Sequence, residues 1–145
     1  MFPDRFREDY AERNLEIGCV IRKFVQFTIP PKEKRFIVVA FTEDKIALAA
    51  VLINTSVNEN VNYTADLKSL HIPLDHNGRS YLDHASFIDC SELYEESVSI
   101  LKSALKVDPG CLLGNLSEAD LVKTQRLIAQ SPSIKPYKKK RFGFI

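Results

Sequence analysis

Residues 83–89 of the sequence bring together side chains that exchange protons. Asp83, His84 and Asp89 lie in this stretch, separated by small and apolar residues. A histidine titrates near neutral pH and therefore acts as an acid or a base, while two aspartates six positions apart share one strand face if no bulge intervenes. The stretch is a candidate acid–base centre. In the alternative interpretation the aspartates cap turns and His84 is an ordinary histidine of a hairpin region.

Basic residues are concentrated at the C-terminal end of the chain. The last 25 residues contain seven bases and no acid, although the formal net charge of the whole chain is only +1. Lys138, Lys139, Lys140 and Arg141 are mixed with aromatic residues there, which suits phosphate contacts and stacking on bases. The composition predicts a tail, residues 135–145, that binds nucleic acid. Alternatively, the tail is a solvated end whose aromatic side chains dock on the core.

Length and composition exclude several classes of protein. A chain of 145 residues with 45% hydrophobic and 27% charged residues is typical of one soluble globular domain. It lacks an apolar run of the roughly 20 residues that cross a bilayer, and its charged start is unlike a secretion signal. We therefore expect a cytoplasmic protein without membrane contacts.

Cysteine usage gives no sign of a metal or a disulfide framework. Cys19, Cys90 and Cys111 are too few and too widely spaced for either, and the chain has no glycine-rich phosphate loop. We expect no metal and no cofactor, and we assign the three cysteines to the core. An alternative pairs Cys90 with His84 as a nucleophile and its base.

The elements that must position these residues follow from hydrophobic pattern and turn signals. The sequence predicts an α+β fold of mostly β structure, in which five or six antiparallel strands pack on a C-terminal helix. Predicted strands cover residues 17–27, 35–41 and 46–54, then SLHIPL and SYLDHASFIDC, the last with a bulge or bend around residues 84–86. Predicted helices cover DRFREDYAERN, a segment after Cys90, and Ser117 to Gln130.

Connections complete this outline. Asn77-Gly78 marks a hairpin turn, and the polar residues 54–68 form a surface loop long enough to be functional. We divide the chain into an N-terminal helical arm at residues 1–14, one domain at 15–134, and the basic tail.

Five features in this order resemble the MazF/PemK/Kid family of toxin ribonucleases. They are a glycine-opened first strand, a polar loop ending in KRFIVV, a strand ending in INTS, a later strand ending in FID, and a helix beginning with GNLSEAD. The resemblance covers about residues 17–131. It implies a small antiparallel SH3-like barrel with an added helix, a homodimer, an antitoxin protein as partner, and cleavage of single-stranded RNA without a metal.

The resemblance also assigns site residues. Arg35 falls where the family has an early basic residue, and with Lys32 and Lys34 it is expected to hold the scissile phosphate. Asp89 corresponds to an acidic residue of the family site and is the candidate base. Thr55 and Ser56 match small hydroxyl residues that contribute to the RNA site.

The sequence departs from the family pattern at one position. Where the family carries its catalytic arginine, this chain has His84 followed by Ala85, Ser86 and Phe87. We expect His84 to replace the missing acid, with Arg79 or Arg35 supplying positive charge.

Two functions remain open at this point. One is a toxin-like endoribonuclease with a rearranged site that includes Arg35, Thr55, His84 and Asp89. The other is a catalytically inactive module of the same fold. Such a module would bind a protein or a nucleic acid through the loop at residues 54–68 and the basic tail.

Overall fold

A computed structural model describes residues 4–25, 32–55 and 68–145 of the chain. In chain order the elements of these ranges are α1 (Asp4–Asn14), β1 (Cys19–Val25), β2 (Lys32–Phe41), β3 (Ala47–Asn54), β4 (His71–Leu74), β5 (Ser86–Ser97), α2 (Val98–Val107), a 3-10 turn (Pro109–Cys111), β6 (Leu112–Asn115), α3 (Glu118–Gln130) and α4 (Pro136–Arg141).

The strands of the described ranges form one antiparallel sheet in the order β4-β5-β3-β2-β1-β6. The sheet curls into a half-barrel with helices packed against it, which confirms the predicted α+β class with six antiparallel strands. Strands account for only slightly more of the described residues than helices do, because α4 adds a helix that the sequence pattern did not predict.

The sheet is buried on both faces, which explains the nearly continuous apolar runs of β2 and β3. One face packs on α1 and α2 through residues such as Phe36 and Leu52. The opposite face packs on α3 and the C-terminal segment through Ile37, Ile53 and Ile88. We call these the α1/α2 face and the α3 face, because the position of each predicted site residue depends on which one it occupies.

The segment after Cys90 is helical only in its second half. Strand β5 continues to Ser97 because residues 94–97 pair with β3. Helix α2 begins at Val98, and the Ser97 hydroxyl accepts a hydrogen bond from the Ile100 amide at 3.4 Å. Pairing with a distant strand thus overrides the local helical pattern at this point.

The predicted bulge or bend around residues 84–86 is found as a bend at Asp83 and His84, just before β5. Strand β5 begins only at Ser86, and residues 75–85 form the connection from β4. The register of β5 against β3 shifts farther along, between Asp89 and Tyr94.

The last predicted helix is confirmed as α3. It begins after Ser117, whose hydroxyl accepts a hydrogen bond from the Asp120 amide at 3.2 Å, and it ends at Gln130. The apolar face of α3 packs into the sheet, where Ile128 is fully buried.

The basic tail contains helix α4 and is docked on β5. Phe142 is only 6% exposed and belongs to the core of the α3 face. Lys138 forms an ion pair with Glu92 at 2.9 Å, and Arg141 forms one with Glu95 at 2.7 Å. The tail aromatic Phe142 therefore docks on the core, as the alternative interpretation of this segment predicted.

Candidate functional site

Of the predicted catalytic residues Arg35, His84 and Asp89, the register of the sheet separates the first from the last. Residues directly opposite one another on neighbouring strands share a face. Arg35 is opposite Ile53, which belongs to the α3 face, whereas Asp89 is opposite Leu52, which belongs to the α1/α2 face. Arg35 and Asp89 thus project from opposite sides of the sheet and do not come together.

Arg35 is engaged by the connection between β4 and β5. Its Nη1 donates to the Tyr81 carbonyl oxygen at 2.6 Å, and its Nη2 donates to Asp83 Oδ2 at 2.7 Å. The hydrogen bond from Arg35, and then its charge, lower the pKa of the Asp83 carboxyl. The Arg35 guanidinium therefore holds the connection between β4 and β5 against strand β2.

His84 lies in the same connection, exposed and two residues before β5. Cys90 lies on the buried α3 face, where burial raises the pKa of its thiol to about 12. A thiol that stays protonated is a poor nucleophile, so the burial of Cys90 does not favour a Cys90–His84 pair.

Asp89 is the centre of a polar cluster on the α1/α2 face, formed by Lys34, Asn54, His71, Asp89 and Ser91. Asp89 Oδ1 accepts hydrogen bonds from the Ser91 amide at 2.9 Å and from the Ser91 hydroxyl at 2.5 Å. His71 Nε2 lies 3.5 Å from the same oxygen. The Asp89 and His71 side chains are only 18% and 7% exposed, so the carboxylate is held in one orientation.

Lys34 is the cation of this polar cluster. Its Nζ donates to Asn54 Oδ1 at 3.1 Å, and within the described residues no carboxylate lies within 4 Å of it. Burial, and then the charge of Lys32, lower the pKa of the Lys34 amine, while the charge of Asp89 opposes this shift. The amine therefore gives up its proton more easily than an exposed lysine does.

The sequence pattern does not predict His71, Asn54 or Ser91 as site residues. His71 alternates with buried apolar neighbours in β4, a pattern that indicates a core position, and its proximity to Asp89 depends on the pairing of β4 with β5. Asn54 was visible as the polar end of the apolar strand β3. Its partner Lys34 depends on long-range register, which local pattern does not encode.

The predicted RNA-binding residues are dispersed. Arg79 is paired bidentately with Asp120, at 3.0 and 3.2 Å, and also contacts Asp75. Thr55 is exposed at the end of β3, while Ser56 and residues 57–67 of the predicted loop lie outside the described residues.

The basic residues of the N-terminal half and of the tail also differ in their environment. Lys32 is exposed beside Lys34. Lys138 and Arg141 form the ion pairs with β5, and Lys139 Nζ donates to the Ala129 carbonyl oxygen at 3.0 Å. Lys140 is exposed and forms no ion pair with the described residues.

The sequence matches no family model, and no curated protein matches it significantly. None of the helices in the described ranges combines the length and apolar character needed to span a bilayer.

The polar cluster can perform acid–base chemistry with its own side chains. Asp89 Oδ1 is occupied by Ser91, while Oδ2 has no hydrogen-bond partner among the described residues and is free to accept a proton. Lys34 supplies a positive charge and a proton with a lowered pKa. A base, an acid and a cation on one sheet face are the groups that phosphodiester transfer requires.

Proposed function

We propose that this protein is a toxin-type endoribonuclease that cleaves single-stranded RNA without a metal, with Asp89 as base and Lys34 as acid. The observation that carries the proposal is the placement of these two residues on one sheet face, each held by a neutral partner. The six-stranded half-barrel supports a PemK/MazF-like, SH3-like architecture as part of the same proposal. A homodimer, an antitoxin partner and a cytoplasmic location belong to it as well.

The proposed reaction needs one proton acceptor and one proton donor. Asp89 Oδ2 takes the proton of the ribose 2′-hydroxyl, and O2′ attacks phosphorus as the bond from phosphorus to O5′ breaks. Lys34 gives its proton to O5′, so the products are a 2′,3′-cyclic phosphate and a 5′-hydroxyl. The charge of Lys34 also stabilises the phosphorane-like transition state. DNA, which lacks the 2′-hydroxyl, is not a substrate.

A second candidate is RNA binding without cleavage. The observation that favours it is the engagement of Arg35 by Tyr81 and Asp83, which leaves the predicted phosphate ligand turned toward the protein. In this case Lys32 and Lys34 hold phosphate while Asp89 has a structural role.

Cleavage of a labelled RNA tests the proposal. The purified protein is incubated with a long mixed-sequence RNA in excess chelator, beside Asp89→Asn and a control, Asp9→Asn, which makes the same change on the exposed surface of α1. We expect wild type and Asp9→Asn to release fragments with a 2′,3′-cyclic phosphate. Asp89→Asn should be slower by about 100-fold or more, the usual contribution of a general base.

Two results contradict the proposal. Equal cleavage by wild type and Asp89→Asn would mean that the catalytic site lies outside the polar cluster. Binding of RNA by folded protein without any cleavage would favour the second candidate. In cells, the endoribonuclease predicts growth arrest on expression of wild type and normal growth with Asp89→Asn.

A further inference from the structure

Ser91 occupies the irregular part of β5 that follows Asp89. The register shift between Asp89 and Tyr94 leaves residues 90–93 outside the regular ladder with β3. The Ser91 amide is thereby free to turn back to Asp89, and both its N–H and its hydroxyl donate to Oδ1 of that carboxylate. Two donors on one oxygen fix the orientation of Asp89 and direct Oδ2 away from Ser91.

The irregular part of β5 is itself held by the C-terminal segment, residues 131–142. The Ser133 hydroxyl donates to the Ser91 carbonyl oxygen at 2.5 Å, and Ser131 lies 3.2 Å from Ser133. Lys138 Nζ donates to Glu92 Oε1 at 2.9 Å and to the Leu93 carbonyl oxygen at 3.3 Å. Ser91, Glu92 and Leu93 therefore all accept hydrogen bonds from the C-terminal segment.

The C-terminal segment is anchored firmly enough to hold these residues in place. Ile134 and Phe142 are 2% and 6% exposed and belong to the core of the α3 face. Arg141 donates two hydrogen bonds to Glu95, at 2.7 and 3.2 Å, farther along β5. The burial of Ile134 and Phe142 fixes the segment in place. Its polar side chains then hold β5 through hydrogen bonds.

We propose that Ser91 is a positioning residue for Asp89 and that the C-terminal segment acts as a brace for Ser91. The inference rests on the proposed function, because positioning affects cleavage only if Asp89 is the base. The brace differs from an RNA-binding tail in one measurable respect: loosening a brace lowers kcat, whereas removing a phosphate contact raises KM.

Ser133→Ala tests the brace with the smallest change. It removes the hydroxyl that donates to the Ser91 carbonyl and leaves the apolar anchors intact. Ser103→Ala, the same change on the exposed surface of α2, is the matched control. We expect Ser133→Ala to lower kcat by about 10-fold with KM within about twofold of wild type, since small misplacements of a reacting group are costly. Ser103→Ala should match wild type.

A second measurement does not depend on cleavage. The amide proton of Ser91 is hydrogen-bonded to the Asp89 carboxylate, so its NMR resonance reports this contact. The brace predicts that the resonance moves in Asp89→Asn and in Ser133→Ala and stays in place in Ser103→Ala. An unmoved resonance in Ser133→Ala overturns the brace even if wild type cleaves RNA.

The two measurements separate failure of the brace from failure of the proposed function. If wild type does not cleave RNA, the catalytic role of Ser91 fails with the proposed function. If wild type cleaves and Ser133→Ala raises KM with kcat unchanged, the C-terminal segment is a substrate contact and the brace is wrong.

Discussion

At the scale of single residues, the polar cluster depends on the balance between burial and charge at Lys34. Burial and the neighbouring Lys32 lower the pKa of the amine, and no carboxylate among the described residues approaches closely enough to reverse the shift. A lysine in this environment is a better proton donor than one in water. Asp89 provides the complementary charge without forming an ion pair with it.

The pH dependence of cleavage follows from this role of Lys34. A general acid acts in its protonated form, so the rate should fall as pH rises through the lowered pKa of Lys34, below the ordinary lysine value of 10.5. Lys34→Arg keeps the positive charge but does not release its proton. We expect this variant to retain KM and to lose about 100-fold in kcat together with the alkaline limb of the profile.

A profile of kcat against pH for wild type and Lys34→Arg checks this prediction. If the arginine variant keeps the wild-type kcat and the same alkaline limb, Lys34 binds phosphate without donating a proton. Another group then protonates the leaving oxygen.

At the scale of elements, the connection between β4 and β5 is fastened at two points. Arg35 holds it to β2, and Arg79 holds it to the beginning of α3 through Asp120. The side chains of Arg79 and Asp120 are 25% and 15% exposed, so water screens this pair less than a surface ion pair. The pair links a long connection to a helix on the α3 face.

The Arg79–Asp120 pair makes stability depend on pH. The hydrogen bond from Arg79 lowers the pKa of the Asp120 carboxyl below its ordinary value of 3.8. A carboxyl whose pKa is lowered by folding stabilises the fold at pH values above its pKa in the unfolded state. This stabilisation is lost as the pH falls through the lowered pKa of the folded state. We expect Asp120→Asn to cost about 2 kcal/mol at pH 7 and less at pH 3.

Urea unfolding of wild type and Asp120→Asn at both pH values measures this difference. Asp75→Asn is the control, because Asp75 contacts the same arginine but its side chain is 67% exposed, and exposed pairs contribute at most about 1 kcal/mol. The same loss in both variants, or a loss for Asp120→Asn that does not shrink at low pH, would be inconsistent with a partly buried charged pair.

Elements whose pattern is local could be predicted from the sequence, and those that depend on distant partners could not. The apolar runs of β2 and β3 and the cap at Ser117 are visible in a few consecutive residues. The end of β5, in contrast, is set by pairing with β3. The candidate site divides in the same way: the family resemblance points to Asp89 as base and to Lys34 as a phosphate ligand, while their neighbours and the separation of Arg35 from Asp89 depend on the sheet register.

At the scale of the whole molecule, the composition of the C-terminal end suggests one role and its position in the fold shows another. The last 25 residues contain seven bases and no acid, a composition that suggests a free nucleic-acid-binding arm. In the fold, Lys138 and Arg141 instead pair with two glutamates of β5, and Phe142 is buried in the core of the α3 face. The segment thus completes the layer that covers the α3 face.

Removing the buried ring tests whether this segment belongs to the core. Phe142→Ala should destabilise the protein by about 3 kcal/mol, because it deletes a large side chain that is 6% exposed. Tyr137→Ala, in α4 but 63% exposed, should change stability by no more than about 0.5 kcal/mol. The free energy of unfolding in urea measures both. A docked segment requires this large difference, whereas equally small effects of the two substitutions would mean that residues 136–142 stand away from the core in solution.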